Sequence, residues 1–250
     1  MKKTIFAFLL MFIAVSTGFA QVVRITPKKT VYTRNGRDVP KEKKTFVVTY
    51  PLVSGTMPLV TKKKLENTIS YWRVFETTLK ENQGEYHWLS ELSYKVNYNK
   101  NSVLDIALTQ EGVGAYPDGS TVDLIIDLKT GEQVKFNDAF KADSFIKFAE
   151  MVDRKLKIEA KKIIQTIDKG AFGENGKEAD DSIKEQLGAL NFTAETFNEY
   201  SVNDKGVTII YDAGFPHVIQ AAQPDGRYFF TWAQLKPFIK REGLLAKFVR

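Results

Sequence analysis

The side chains best suited to chemistry in this chain lie close together. Between Gly114 and Phe140, in GAYPDGSTVDLIIDLKTGEQVKFNDAF, five acidic residues (Asp118, Asp123, Asp127, Glu132 and Asp138) are interleaved with glycines and apolar residues. Two carboxyl groups facing each other across a cleft would suit a glycosidase, one as acid and the other as nucleophile or base. On a strand from Ser120 to Leu128, however, Asp123 and Asp127 share one face while Leu124, Ile126 and Leu128 share the other. That alternation reads as the wet and dry sides of a sheet. Asp127-Leu-Lys-Thr-Gly-Glu132 has the composition of a tight hairpin turn, opened by the Asp127 side chain and carrying Gly131 at the left-handed position. Asn137-Asp138 stands where a capping residue would start a short helical turn. The DxDxDG spacing of a calcium loop is absent.

Other chemistries find less support. There is no cysteine, which excludes disulfides and thiolate catalysis, and the two histidines, His87 and His217, lie 130 residues apart without HExxH spacing. No GxSxG elbow marks a serine nucleophile and no GxxxxGK[ST] loop a phosphate site; Gly112-Val-Gly114 lacks the third glycine of a dinucleotide fingerprint. The expectation is no catalytic residue, no metal and no cofactor. The alternative is a cell-wall polysaccharide hydrolase or deacetylase working through the acids of the opening stretch.

The elements that position these residues follow from periodicity. Thr45 to Tyr50 reads as a strand closed by Pro51, with a loop to Pro58. From Thr61, Leu65, Ile69, Trp72, Phe75 and Leu79 recur at helical spacing and predict one amphipathic helix ending at Asn82-Gln-Gly84. Trp88 to Tyr98 and Ser102 to Gln110 alternate as two strands around Asn99-Lys-Asn101, with Leu92, Tyr94, Val96 and Tyr98 on one inward face. Phe145, Phe148, Val152, Leu156, Ile163 and Ile167 form one stripe of a long helix over Asp143 to Ile167, which would cover the sheet. Gly170 to Asp181 reads as a mobile insertion and Ser182 to Leu190 as a short helix. A second hairpin, Phe197 to Val202 and Val207 to Tyr211, turns at Asn203 to Gly206, whose glycine suits a left-handed position. Strands and helices are segregated and antiparallel hairpins dominate, so the expected class is α+β.

The address is legible at the start of the chain. Lys2 and Lys3, the apolar run Ile5 to Val15 and Gly18-Phe19-Ala20 have the form of a secretory signal cleaved after Ala20. The apolar run is too short for a membrane span of ~20 residues, and none follows it. The expected layout is signal 1–20, a basic and flexible leader 21–44, one α+β domain 45–240 and a tail 241–250, in a periplasmic or extracellular protein. Gln21 to Lys64 carries eleven lysines and arginines against Asp38 and Glu42, which suits anionic envelope polymers or lipid head groups as well as plain solvation. An exported chain without nucleic-acid motifs argues against DNA or RNA as partner.

A set of short motifs in fixed order carries a resemblance. Gly112-Val-Gly-Ala-Tyr-Pro117, Asp127-Leu-Lys-Thr-Gly-Glu132, Phe136-Asn-Asp-Ala-Phe140, Gly206 to Tyr211, Phe215 to Ala222, Gly226 and Trp232-Ala-Gln-Leu-Lys-Pro-Phe238 resemble the signatures of a family of exported bacterial domains of unknown function. That family includes the extracellular region of lysozyme-sensing anti-sigma factors and an accessory domain beside some peptidoglycan deacetylases. The likeness runs from Phe46 to Ile239 and implies a strand-rich α+β domain that recognises an envelope component, with lysozyme or peptidoglycan as partner. Two departures matter: the family's histidine is Tyr116 here, and neither a sigma-binding part nor a deacetylase domain is present, which argues against anti-sigma function. Candidate ligand-binding residues are Tyr116, Pro117 and Asp118 on the glycine-rich loop and Phe215, His217 and Arg227 on the loop from Gly214, because loop aromatics and arginines carry recognition. Tyr116 and Phe215 are equally of a type that packs the ends of a sheet.

Overall fold

The computed structural model describes residues 23–85, 87–114, 116–168 and 177–250. The signal expected at 1–20 lies outside them, as does most of the insertion expected at Gly170 to Asp181. The architecture is α+β. A six-stranded sheet runs β1 (Val23–Thr33), β2 (Thr45–Gly55), β3 (Leu89–Lys100), β4 (Val103–Val113), β5 (Pro117–Asp127) and β6 (Glu132–Gln133), with strands neighbouring in chain order. A three-stranded sheet comes next, β7 (Glu199–Asn203), β8 (Gly206–Ile210) and β9 (Arg227–Thr231). Every pairing is antiparallel except β2 with β3, which run parallel at Val47–Glu91 and Val48–Leu92.

The basic leader contributes β1 to the sheet. β1 pairs with β2 along its whole length, from Val23 opposite Gly55 to Thr33 opposite Thr45. β2 runs on through Pro51, which faces Pro27. Opposed residues in an antiparallel pair exchange both hydrogen bonds or neither, so two prolines sit at a pair that needs no N–H. The parallel pairing to β3 stops at Val48, so no N–H is needed from Pro51 on that side either. Arg34, just past β1, is buried, its guanidinium donating to the Lys43 and Leu89 carbonyls above the Phe46 ring, and so ties the leader to β3.

The crossover from β2 to β3 holds α1 (Leu59–Thr68), α2 (Tyr71–Val74) and α3 (Leu79–Asn82) where periodicity alone predicts one helix. The break has local causes. Ser70 is extended, Glu76 takes a left-handed φ of 49°, and Thr78 starts α3 by a reciprocal capping box with Glu81. The apolar stripe survives: Leu65, Ile69 and Tyr71 are buried with Leu92, Leu104, Ile106, Leu108, Leu124 and Ile126 under one face of the large sheet.

The other face meets the small sheet. Val103 and Ile125 share a core with Tyr200, Val202, Val207, Ile209, Tyr228 and Phe230, and with Phe148, Val152 and Leu156 of the long helix. In chain order α4 (Phe136–Ala139), α5 (Phe145–Ile167), α6 (Lys177–Ala189) and α7 (Trp232–Leu235) complete the helices. Tyr98 belongs to this second core, not to the face of Leu92 as strict alternation predicts, because the β3–β4 register shifts between Val96 and Tyr98. The β-bulge inserts Asn97 and reverses the facing of the residues after it on β3.

Turn chemistry is mixed. Asn101 and Ser102, both at positive φ, close the β3–β4 hairpin. Gly131 has a φ of 77° and Asp127 Oδ1 accepts from Lys129 N at 2.9 Å, as the turn composition predicts. Gly206 is not left-handed; a Cβ there would lie 1.9 Å from the Phe230 carbonyl oxygen, so close strand approach is what requires it. Asp138 does not cap from outside but sits inside α4, accepting from Lys135 N at 3.0 Å. Residues 241–250, set apart as a tail by sequence, pack inward: Leu245 and Ala246 are buried and Phe248 stacks on Trp232 at 4.5 Å.

Candidate functional site

Two loops about a hundred residues apart in the chain form a cleft of about 510 Å³ at one end of β4 and β5, lined by Trp88, Gly114, Tyr116, Pro117, Asp118, Phe215, His217 and Gln220. One wall is the β4–β5 connection. Val113 N donates to the Trp88 carbonyl at 2.9 Å, and a Cβ on Gly112 would fall 2.0 Å from Trp88 Cε3, so the indole lies across a glycine. Pro117 and Asp118 start β5 opposite Val113 and Gly112, with Asp118 Oδ1 accepting from Gly119 N at 2.7 Å. Tyr116 at the rim is 66% exposed.

The second wall is the loop from Asp212 to Gln223. Asp212 Oδ1 accepts from Gly214 N at 2.9 Å and from Gln223 Nε2 at 3.0 Å, and Gln223 Oε1 accepts from Phe215 N at 2.8 Å. Gly214, with a φ of 65°, makes the bend that only a residue tolerant of the left-handed region accepts easily. Phe215 is buried with Ala160, Ile167, Ile183 and Leu187 of α5 and α6, so it roots the loop in the helices and forms part of the cleft floor. The 3₁₀ segment His217–Ala222 then presents His217, whose ring stacks on Tyr116 with centroids 5.3 Å apart and planes 29° apart.

Five of the six sequence candidates thus meet: Tyr116, Pro117, Asp118, Phe215 and His217. Arg227 stands apart. It begins β9 opposite Ile210, is not in the cleft lining, and its charge instead favours ionisation of Asp123 and Glu199. Trp88 and Gln220 complete the lining without standing out in the sequence. The usable signal for Trp88 is the glycine at 112 inside a strand pattern, which marks a bulky group crossing the backbone. Chemically the cleft offers aromatic ring faces, one amide and, among its described lining residues, one carboxylate, Asp118.

The remaining acids occupy different settings. Asp118 and Asp127 lie at opposite ends of β5, about 30 Å apart at ~3.3 Å per residue, which removes them as a catalytic pair. Asp123 is not on a wet face: it is 6% exposed because β7 docks there. Asn97, the bulge residue, donates through Nδ2 to Asp105 Oδ1 at 3.1 Å and Asp123 Oδ1 at 3.2 Å. Asp105 Oδ2 accepts from Ser201 Oγ at 2.6 Å and Val202 N at 2.7 Å, and Asp123 N donates to Glu199 Oε2 at 3.3 Å. Burial pushes the Asp105 carboxyl up to about 6 against the pull of these donors, and raises Asp123 and Glu199 for the same primary reason. This network joins the two sheets through backbone and hydroxyl donors. Among the described residues no group of three or more His, Cys, Asp or Glu side chains is arranged to hold a metal ion.

No protein-family model matches the chain, and no curated protein matches it in sequence. Solved structures do match. A DUF3298 protein from Pseudomonas aeruginosa PAO1 aligns over 88% of this chain and 94% of its own at 14% identity, with a TM-score of 0.47. A member of the DUF3298 family from Bacteroides fragilis NCTC 9343 aligns over 92% of this chain and 97% of its own at 12% identity, with a TM-score of 0.51. The fold of this chain is therefore similar to that of a domain of unknown function, over nearly the whole of both proteins.

Proposed function

We propose that the protein is an exported, non-catalytic binding module that holds a cell-wall glycan, peptidoglycan, in the cleft between Trp88, Tyr116 and His217. The observation that carries this reading is the stacked Tyr116–His217 pair beside Trp88 and Asp118. Ring faces pack on the apolar faces of sugar rings, and a carboxylate and an amide accept or donate to their hydroxyls. A floor rooted in α5 and α6 and a loop stapled by Gln223 keep the site formed without ligand, which lowers the ordering cost of binding. Export rests on the signal-like start, and the processed chain would begin at Gln21, two residues before β1.

The test is retention of the processed chain on purified peptidoglycan and on immobilised c-type lysozyme, with Tyr116→Ala beside the parent. Retention on peptidoglycan, weakened about tenfold in Tyr116→Ala without a change in melting temperature, is the expected result. Retention on lysozyme alone would replace the glycan with the protein partner that the motif resemblance implies. Retention on neither overturns the proposal.

A further inference from the structure

We propose a second, anion-binding site at the far end of the chain, a cleft that takes a phosphate-bearing ligand with an apolar part. The cleft measures about 580 Å³ and is lined by Lys141, Lys236, Pro237, Ile239, Lys240, Arg241, Ala246, Val249 and Arg250. Five cationic side chains line it and, among the described residues, no acidic side chain does. None of the five has an ion-pair partner within 4.0 Å among the described residues. Like charges crowded into one concavity repel each other and focus the field into it, so the arrangement is most stable with an anion present. The acids nearest in sequence lie outside the lining: Asp138 accepts from Lys135 N, and Asp143 and Glu242 are exposed.

The frame under these charges is rigid. Lys141 N donates to the Phe238 carbonyl at 2.8 Å and Lys240 N to the Ala139 carbonyl at 3.0 Å, flanking the Phe140–Ile239 bridge. Two of the ammonium groups are held in place by carbonyls, Lys141 Nζ by Pro237 at 2.7 Å and Lys240 Nζ by Asn137 at 2.7 Å. Each has further protons to offer a ligand. Lys236 and Arg241 are exposed, so both are available to close on a bound anion, the guanidinium as a two-pronged donor. Ile239 and Ala246 are buried and form an apolar back wall with Pro237 and Val249. That wall is why the ligand should carry an apolar part beside its phosphate.

The chemistry is shared by a free phosphorylated molecule and by the head group of an anionic lipid. Amide chemical-shift titration of the whole processed chain with pyrophosphate, and flotation with phosphatidylglycerol vesicles against phosphatidylcholine vesicles, separate the two. Shifts confined to residues 139–141 and 236–250 on adding pyrophosphate, weakened about tenfold in the Lys236→Ala/Arg241→Ala variant, support a free phosphate ligand. Flotation with phosphatidylglycerol only, lost in that variant, supports the lipid source. Neither substitution removes a buried group, and the Tyr116→Ala protein should behave as the parent in both assays. Absence of both responses, or responses unchanged in the double variant, overturns the proposal.

Discussion

Burial between two sheets sets the behaviour of Asp105. Its carboxyl is raised to about 6 because loss of water outweighs the hydrogen bonds from Ser201, Val202 and Asn97. A carboxyl with a folded-state pKa above its unfolded value favours folding in the protonated form. The contribution is fully present below about pH 4 and is lost as pH rises through about 6, by up to ~3 kcal/mol. Asp123 and Glu199 are raised as well and add loss of the same sign. Asp105→Asn keeps one oxygen for Ser201 and Val202, and a flip of the Asn97 amide meets the new NH₂ while giving up its bond to Asp123, a loss set against the buried charge that the substitution removes. Denaturant titrations between pH 4 and 7 should therefore show a shallower slope in Asp105→Asn, with stability at pH 7 within about 1 kcal/mol of the parent. Asp105→Ala instead strands the Ser201 and Val202 donors and should cost about 2–4 kcal/mol. An unchanged pH slope in Asp105→Asn would mean that this carboxyl does not titrate on folding.

Secondary structure elements show why the cleft can be separated from the core. The Asp212–Gln223 loop is rooted in the body by the buried Phe215 and closed on itself by the two side-chain hydrogen bonds of Gln223. Gln223→Ala removes both bonds at the surface. The expected outcome is a loss of about 1 kcal/mol in stability, faster amide exchange at residues 213–219, and weaker ligand retention. Exchange that stays slow there would place the loop's rigidity in Phe215 alone. The candidate residues on this loop are legible in the sequence because glycine, proline and aromatics together mark a built loop, and the same holds for Tyr116 to Asp118. Arg227 is misplaced by sequence reasoning because sequence does not say where a loop ends; it already lies in β9, with its charge acting on another cluster. The strands are legible from alternation, and the stripe of α5 from its period. What alternation cannot show is the single extra residue at Asn97. It turns Tyr98 to the second core and aims an amide at two carboxylates from β4 and β5. Nor can it show that a second sheet covers the face of Asp123, since docking depends on residues about eighty positions away.

At the scale of the whole molecule, the exposed margin of the large sheet is the place where the fold must be defended. β1 is an edge strand of 11 residues, long enough to accept a further strand along its free side. Nothing in its length or β-branched content discourages that. What does is chemistry: Pro27 in mid-strand withholds an N–H, and Arg24, Lys28 and Lys29 are exposed along the same segment. The positive excess between Gln21 and Lys64 thus has a structural use that does not require an anionic partner. Two copies meeting edge to edge would bring these cations together. Replacing Pro27 by Val and Lys28 and Lys29 by Thr restores a continuous, β-prone edge with Arg24 as its one remaining exposed cation. Pro27 faces Pro51 at a pair without hydrogen bonds, so the change leaves the β1–β2 ladder intact. Light scattering on the processed chain should then show a larger mean mass for the triple variant than for the parent at equal concentration, with the difference growing as protein is concentrated. Lys28→Thr/Lys29→Thr with Pro27 kept should fall between them at low salt and approach the parent at high salt, where charge repulsion is screened and the proline alone guards the edge. Equal masses for all three proteins would show that the edge is protected by something other than its proline and its lysines.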